Sequence, residues 1–159
     1  MSAFNAIKMD GLGNDFVIFD ARNKNLSFSK QEIIKIADRK FVGCDQVILV
    51  KNDTDSDACL SFFNSDGEEA SACGNGSRCV SYLLAKEKNK NKIQIKTKSG
   101  ILNSDILEEK IVRMNIGKPK FLWSEIPLSE KMEPQNLKIE LSDLNNNSHK
   151  GGHAVNVGN

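Results

Sequence analysis

At 159 residues the chain has the size of one domain, or of one and a fraction, and can bury a core without disulfides or metals to hold it. Its formal net charge of +1, with 27% charged and 39% hydrophobic residues, gives no long-range field to recruit nucleic acid or an anionic lipid surface. No apolar run approaches the roughly 20 residues of a membrane helix, and the opening Met-Ser-Ala-Phe-Asn-Ala-Ile-Lys lacks the apolar stretch of a secretory signal. The cytosol is therefore the expected location, with neither nucleic acid nor membrane as a partner. Cys44, Cys59, Cys73 and Cys79 are expected there as free thiols. Without a Cys-x-x-Cys pair, no metal site is expected.

In chain order, residues 6–9 and 16–20 alternate as strands. Ser29 followed by Glu32 is a capping box, and Ile33, Ile34, Ile36 and Ala37 repeat on a helical period, which predicts a helix ending near Arg39. Strands follow at 47–51 and 59–64. A second helix is expected over 76–88, where Val80, Leu83 and Leu84 make the apolar stripe and Lys86, Lys88 and Lys90 form a solvated, dipole-favoured end. Further strands are read at 93–98, 101–107, 111–116, 137–141 and 154–157. Few helices among many strands, without regular alternation, predict an α+β fold on a mixed or antiparallel sheet.

Past Lys118 the texture changes: Pro119, Pro127 and Pro134 cluster, then a polar run from Asn145 to Ser148, then Gly151-Gly152. This divides the chain into a domain over 1–118 and, over 119–159, a linker with the start of a truncated second domain. The last run stops in what reads as an incoming strand, so continuation beyond Asn159 is expected.

The segment Ala72-Cys73-Gly74-Asn75-Gly76-Ser77-Arg78 leads straight into the second helix. A thiol at a helix start meets unpaired backbone N–H groups and the positive end of the dipole, which favour the thiolate. The same N–H groups suit a substrate carboxylate. The bland alternative is an ordinary turn with a small buried cysteine. Cys59 within a strand and Cys79 within the helix read as packing residues, so Cys73 should alkylate faster than either. No phosphate-binding loop or complete dinucleotide fingerprint is present.

FFNSDGEEASACGNGSRC (62–79) closely resembles the first active-cysteine signature of diaminopimelate epimerases. KMDGLGNDFVIFD (8–20) resembles that family's opening strand and loop, ADRKFVGCDQ (37–46) its second motif, and AVNVGN (154–159) the start of an asparagine motif. Asp10 stands where histidine is common, and the loop before Asp45 is shorter than the usual form. The resemblance implies a curved mixed sheet wrapped around a central helix, one of two pseudo-repeated domains with the substrate between them. It implies interconversion of LL- and meso-diaminopimelate, in lysine and peptidoglycan precursor synthesis, with no pyridoxal phosphate or other cofactor and no metal. Cys73 would be catalytic, and Asn14, Gln46, Asn64, Gly74, Asn75 and Asn159 would bind the small-molecule substrate. Family members carry a second cysteine in a later motif that these residues lack, so the isolated chain is expected to be inactive; a homodimer is implied. The alternatives are another cofactor-free amino-acid racemase, such as one acting on proline, and a non-catalytic half-protein. His149 and His153 are expected to play no catalytic part.

Overall fold

A computed structural model of the chain describes residues 5–142, 144 and 147–157. The chain falls into two compact units that divide between Ile116 and Gly117.

In the first unit, β1 (Ala6–Gly11) and β2 (Asn14–Asp20) form an antiparallel hairpin. Its two-residue turn holds Leu12 at φ 54° and Gly13 at φ 88°, the pair of positive φ angles that matches the twist of the flanking strands. Glycine adopts this without cost, whereas Leu12 does so under strain. Helix α1 (Lys30–Ala37) begins with the expected capping box, Ser29 and Glu32 bonding each other's backbone N–H. It stops two residues short of Arg39 because Asp38 is extended and its carboxylate accepts the Lys40 N–H at 2.8 Å, closing a local turn.

Strand β3 (Gln46–Lys51) runs parallel to β2 and antiparallel to β4 (Ala58–Asn64). A two-residue strand, β5 (Glu69–Ala70), folds back on β4; it is too short to leave a periodic signal. Helix α2 (Gly74–Lys88) starts two residues before the expected Gly76, because the Cys73 side chain caps it. Strands β6 (Lys92–Thr97), β7 (Gly100–Glu108) and β8 (Ile111–Asn115) complete the unit, with β6 parallel to β4 and the rest antiparallel. Lys88, the last residue of α2, and Lys90 just beyond it are tethered rather than merely solvated: Asp57 accepts from Lys88 at 2.9 Å and Lys90 at 2.6 Å.

Among the described residues, eight strands make one mixed sheet in the order β1-β2-β3-β4-β6-β7-β8, with β5 on β4, and α2 touches β1, β2, β6, β7 and β8. The sheet thus curls around α2, the α+β class and curved mixed sheet expected from the sequence. Strand alternation sorts its faces. Phe16, Ile18, Ile48, Val50, Leu60 and Phe62 turn toward Val80 and Leu84 of α2. Val17, Phe19, Val47 and Leu49 turn the other way, onto Ile33 and Ala37 of α1.

Among the described residues, the second unit holds one 3-10 turn, Trp123–Glu125, and a ribbon of β9 (Glu140–Ser142) against β10 (Ser148–Lys150). The strand expected at 137–141 forms later. Leu137 and Ile139 do exchange backbone bonds with Gly152 and Gly151, but Gly151 at φ 91° breaks the regular ladder. The strand expected at 154–157 reduces to one bridge, Asn156 with Lys120. Among the described residues, no helix is long and apolar enough to cross a membrane.

Candidate active site

Asn14 opens β2, Gln46 opens β3 and Asn64 closes β4, and Gln46 lies opposite Asn64 in the β3–β4 register. Each is two residues along its strand from a core residue, Phe16, Ile48 or Phe62, and so shares the face that packs on α2. The apolar stripes of three neighbouring strands therefore end in amides at one rim of the sheet. Helix α2 starts at the same rim because Gly76 lies directly on those core residues. A Cβ at Gly76 would stand 2.7 Å from Ile48 Cδ1 and 3.3 Å from the rings of Phe16 and Phe62. Only glycine lets the helix start come this close, and Cys73, Gly74 and Asn75 are carried to the rim with it.

Cys73 has extended backbone angles and its Sγ accepts the Gly76 N–H at 3.4 Å. The first turn of α2 contains no acidic side chain, so the positive end of the helix dipole is uncompensated within the helix. The other cysteines sit differently. Cys44 is 2% exposed, packed on the α1 side of the sheet. Cys79 is 6% exposed, donates to the Asp10 carbonyl, and has its thiol pKa pushed up by burial to about 11. Burial likewise pushes the Cys44 thiol up. Cys59 is half-buried five residues back along β4 from Asn64, about 17 Å away along the strand.

Iodoacetamide at pH 8 should accordingly label Cys73 well before Cys44 and Cys79, whose thiols stay protonated and covered. Peptide mapping by mass spectrometry reads the order, and simultaneous labelling of all three would contradict this arrangement.

The amides are tied together. Gln46 Nε2 donates to Asn64 Oδ1 at 2.7 Å, while Gln46 Oε1 is buried with no partner among the described residues. Asn75 Nδ2 donates to Asn14 Oδ1 at 2.6 Å, Asn14 Nδ2 donates to Asp45 Oδ2 at 3.3 Å, and Arg78 donates to Asn75 Oδ1. Asp15 and Asp45 clamp the starts of β2 and β3: the Asp15 N–H donates to the Asp45 carboxylate at 3.0 Å, and the Asp45 N–H to the Asp15 carboxylate at 2.9 Å. Arg39 bridges both carboxylates and holds that of Asp15 well below the usual carboxylate range.

Sequence reading missed Asp15, Arg39, Asp45 and Arg78. The available signal was adjacency, since Asp15 follows Asn14 and Asp45 precedes Gln46. Asn159, expected at the site, lies outside the described residues. His153 is exposed in the second unit.

The diaminopimelate epimerase family profile matches residues 6–122. A diaminopimelate epimerase of Pelagibacter ubique (strain HTCC1062) is 55% identical over 154 residues, 97% of this chain and 56% of that protein. One from Acidiphilium cryptum (strain JF-5) is 40% identical over 141 residues, 88% of this chain and 51% of that protein. The chain thus spans about half the length of these curated relatives. A solved hydroxyproline epimerase from Agrobacterium vitis superposes with a TM-score of 0.59 at 10% identity, over 91% of this chain and 46% of that one, a likeness of fold alone. By the extent of the profile match and the identity to these relatives, the chain belongs to the diaminopimelate epimerase family.

Proposed function

We propose that this chain supplies one half of the site of a cofactor-independent enzyme that interconverts LL- and meso-diaminopimelate, with Cys73 as one of two proton-transferring thiols. The observation that carries the reading is the meeting, at one rim, of a half-buried thiol on an uncompensated helix start with amides from three adjacent strands.

Inverting a carbon centre requires that its proton leave from one face and that a proton return to the other. The Cys73 thiolate takes the α-proton and becomes a thiol, while the electron pair of the broken C–H bond is delocalised into the substrate carboxylate. The opposed thiol then gives its proton to the other face and becomes a thiolate. The reverse reaction exchanges the two roles.

Backbone N–H groups of Gly74 and Asn75, at the positive end of α2, stabilise the carboxylate as charge builds on it. Asn14, Gln46 and Asn64, with Asn159 by its family motif, hold the ammonium and carboxylate groups without adding a charge beside the thiol. The buried, unpartnered Gln46 Oε1 supports a donor, such as the ammonium, at that point. Cys44, Cys59 and Cys79 lie behind the sheet, far along β4 and inside α2, so the opposed thiol comes from outside the first unit. The setting is a cytoplasmic, homodimeric enzyme that uses neither pyridoxal phosphate nor metal.

The test is the full-length gene product, without added pyridoxal phosphate, acting on LL-diaminopimelate in D2O. The expected result is meso product deuterated at the inverted carbon, with the remaining substrate still protiated early in the reaction. Absence of both inversion and α-carbon exchange would sink the proposal.

A further inference from the structure

We infer that Arg78 and Asp45 are positioning residues that fix, from opposite ends, the orientation of two substrate-facing amides, those of Asn75 and Asn14. The inference deepens the function proposed above and rests on it for the identity of the substrate.

The oxygen and nitrogen ends of an amide are nearly alike in shape, so the partners decide which way each one faces. Arg78 can only donate, which makes the Asn75 atom it meets the oxygen. Asn75 Nδ2 then faces Asn14 at 2.6 Å, where only an acceptor fits, so Asn14 presents Oδ1. That turns Asn14 Nδ2 toward the Asp45 carboxylate at 3.3 Å, which can only accept. A fixed donor at one end and a fixed acceptor at the other leave one orientation for both amides in between.

The two ends are themselves anchored. Arg78 stands three residues after Asn75 on α2, the spacing at which helical side chains meet. Asp45 is held by the N–H of Asp15 at 3.0 Å and by Arg39 at 2.8 Å. Turning either amide over would oppose two oxygens or two N–H groups and lose a hydrogen bond at each junction. In the observed sense, Asn14 and Asn75 each keep one N–H of the amide for a ligand at the rim. Neither Arg78 nor Asp45 touches substrate on this reading; both act through the amides.

The experiment compares the full-length gene product with its Arg78→Met, Arg78→Lys and Asp45→Asn variants on LL-diaminopimelate. Arg78→Met and Asp45→Asn each raise KM about 10-fold, the lower end of what a hydrogen bond to a charged group contributes, while kcat is nearly unchanged. Arg78→Lys keeps a donor and recovers most of the loss. Wild-type KM in an active Arg78→Met enzyme overturns the inference, and this variant decides the matter even if Asp45→Asn does not fold. A second readout needs no turnover: in 15N-labelled protein, Arg78→Met should move the side-chain amide resonances of both Asn75 and Asn14. A shift confined to Asn75, or none, overturns the coupling. An inactive wild-type protein whose two amides still respond together refutes the proposed function and leaves the amide chain standing.

Discussion

Cys73→Ala in the full-length gene product should abolish α-proton exchange and inversion, a loss of about 10²- to 10⁴-fold or more, since a positioned acid–base group contributes at least that. The same side chain also caps α2 through the Gly76 N–H, so the substitution costs about 1 kcal/mol of stability as well. Cys73→Ser separates the two roles. A hydroxyl is among the best N-caps but is a far weaker acid than a thiol, so serine should restore the thermal midpoint and leave the enzyme inactive. Deuterium incorporation and thermal melts of the two variants read the two roles independently. Near-normal turnover of Cys73→Ala would remove this thiol from the chemistry.

Most of the first unit was legible because its signals are local and strong. The Ser29–Glu32 box and the isoleucine spacing announce α1, and the alternation in 16–20, 47–51 and 59–64 announces the three central strands. What failed was short or irregular: β5 is two residues long, and in 137–157 a glycine at positive φ interrupts pairing that residue patterning alone would extend.

At the candidate site, the place of Cys73 at a helix start was readable from the sequence. Asn14, Gln46 and Asn64 were not readable by physics alone, because each resembles an ordinary strand-end polar residue until the family motifs single it out. Their common face follows from register, which pairs Gln46 with both Phe16 and Asn64 across sequence gaps of tens of residues. Arg78 is likewise unremarkable as a helical arginine until Asn75 is known to face Asn14 from another element. Adjacency to a candidate amide was the one local hint for Asp15 and Asp45, and it acquires meaning only once β2 and β3 run side by side.

Phe62→Ala should cost about 3–5 kcal/mol, the range for emptying a fully buried aromatic position. The site has little capacity to collapse. Phe62 is 0% exposed, lies opposite Ile48 in the register, and its ring would be 3.3 Å from a Cβ at Gly76. Gly76 has no side chain to swing into the gap, and Phe16 and Ile48 are themselves fully buried at 0% exposure. Against a total of about 5–15 kcal/mol for a domain, about a fifth or more of the stability is at stake. With a urea slope of about 1–3 kcal/mol/M, the denaturation midpoint of the chain should fall by about 1 M or more. Any relaxation that does occur brings the first turn of α2 toward the sheet, moving Cys73 relative to Asn64, two residues beyond the cavity. In the full-length gene product, activity should therefore be lost at temperatures where the fold still holds. A stability loss under about 1 kcal/mol would mean that the first turn of α2 does not rest on Phe62. The physical reason for a thiol standing at the amide rim would go with it.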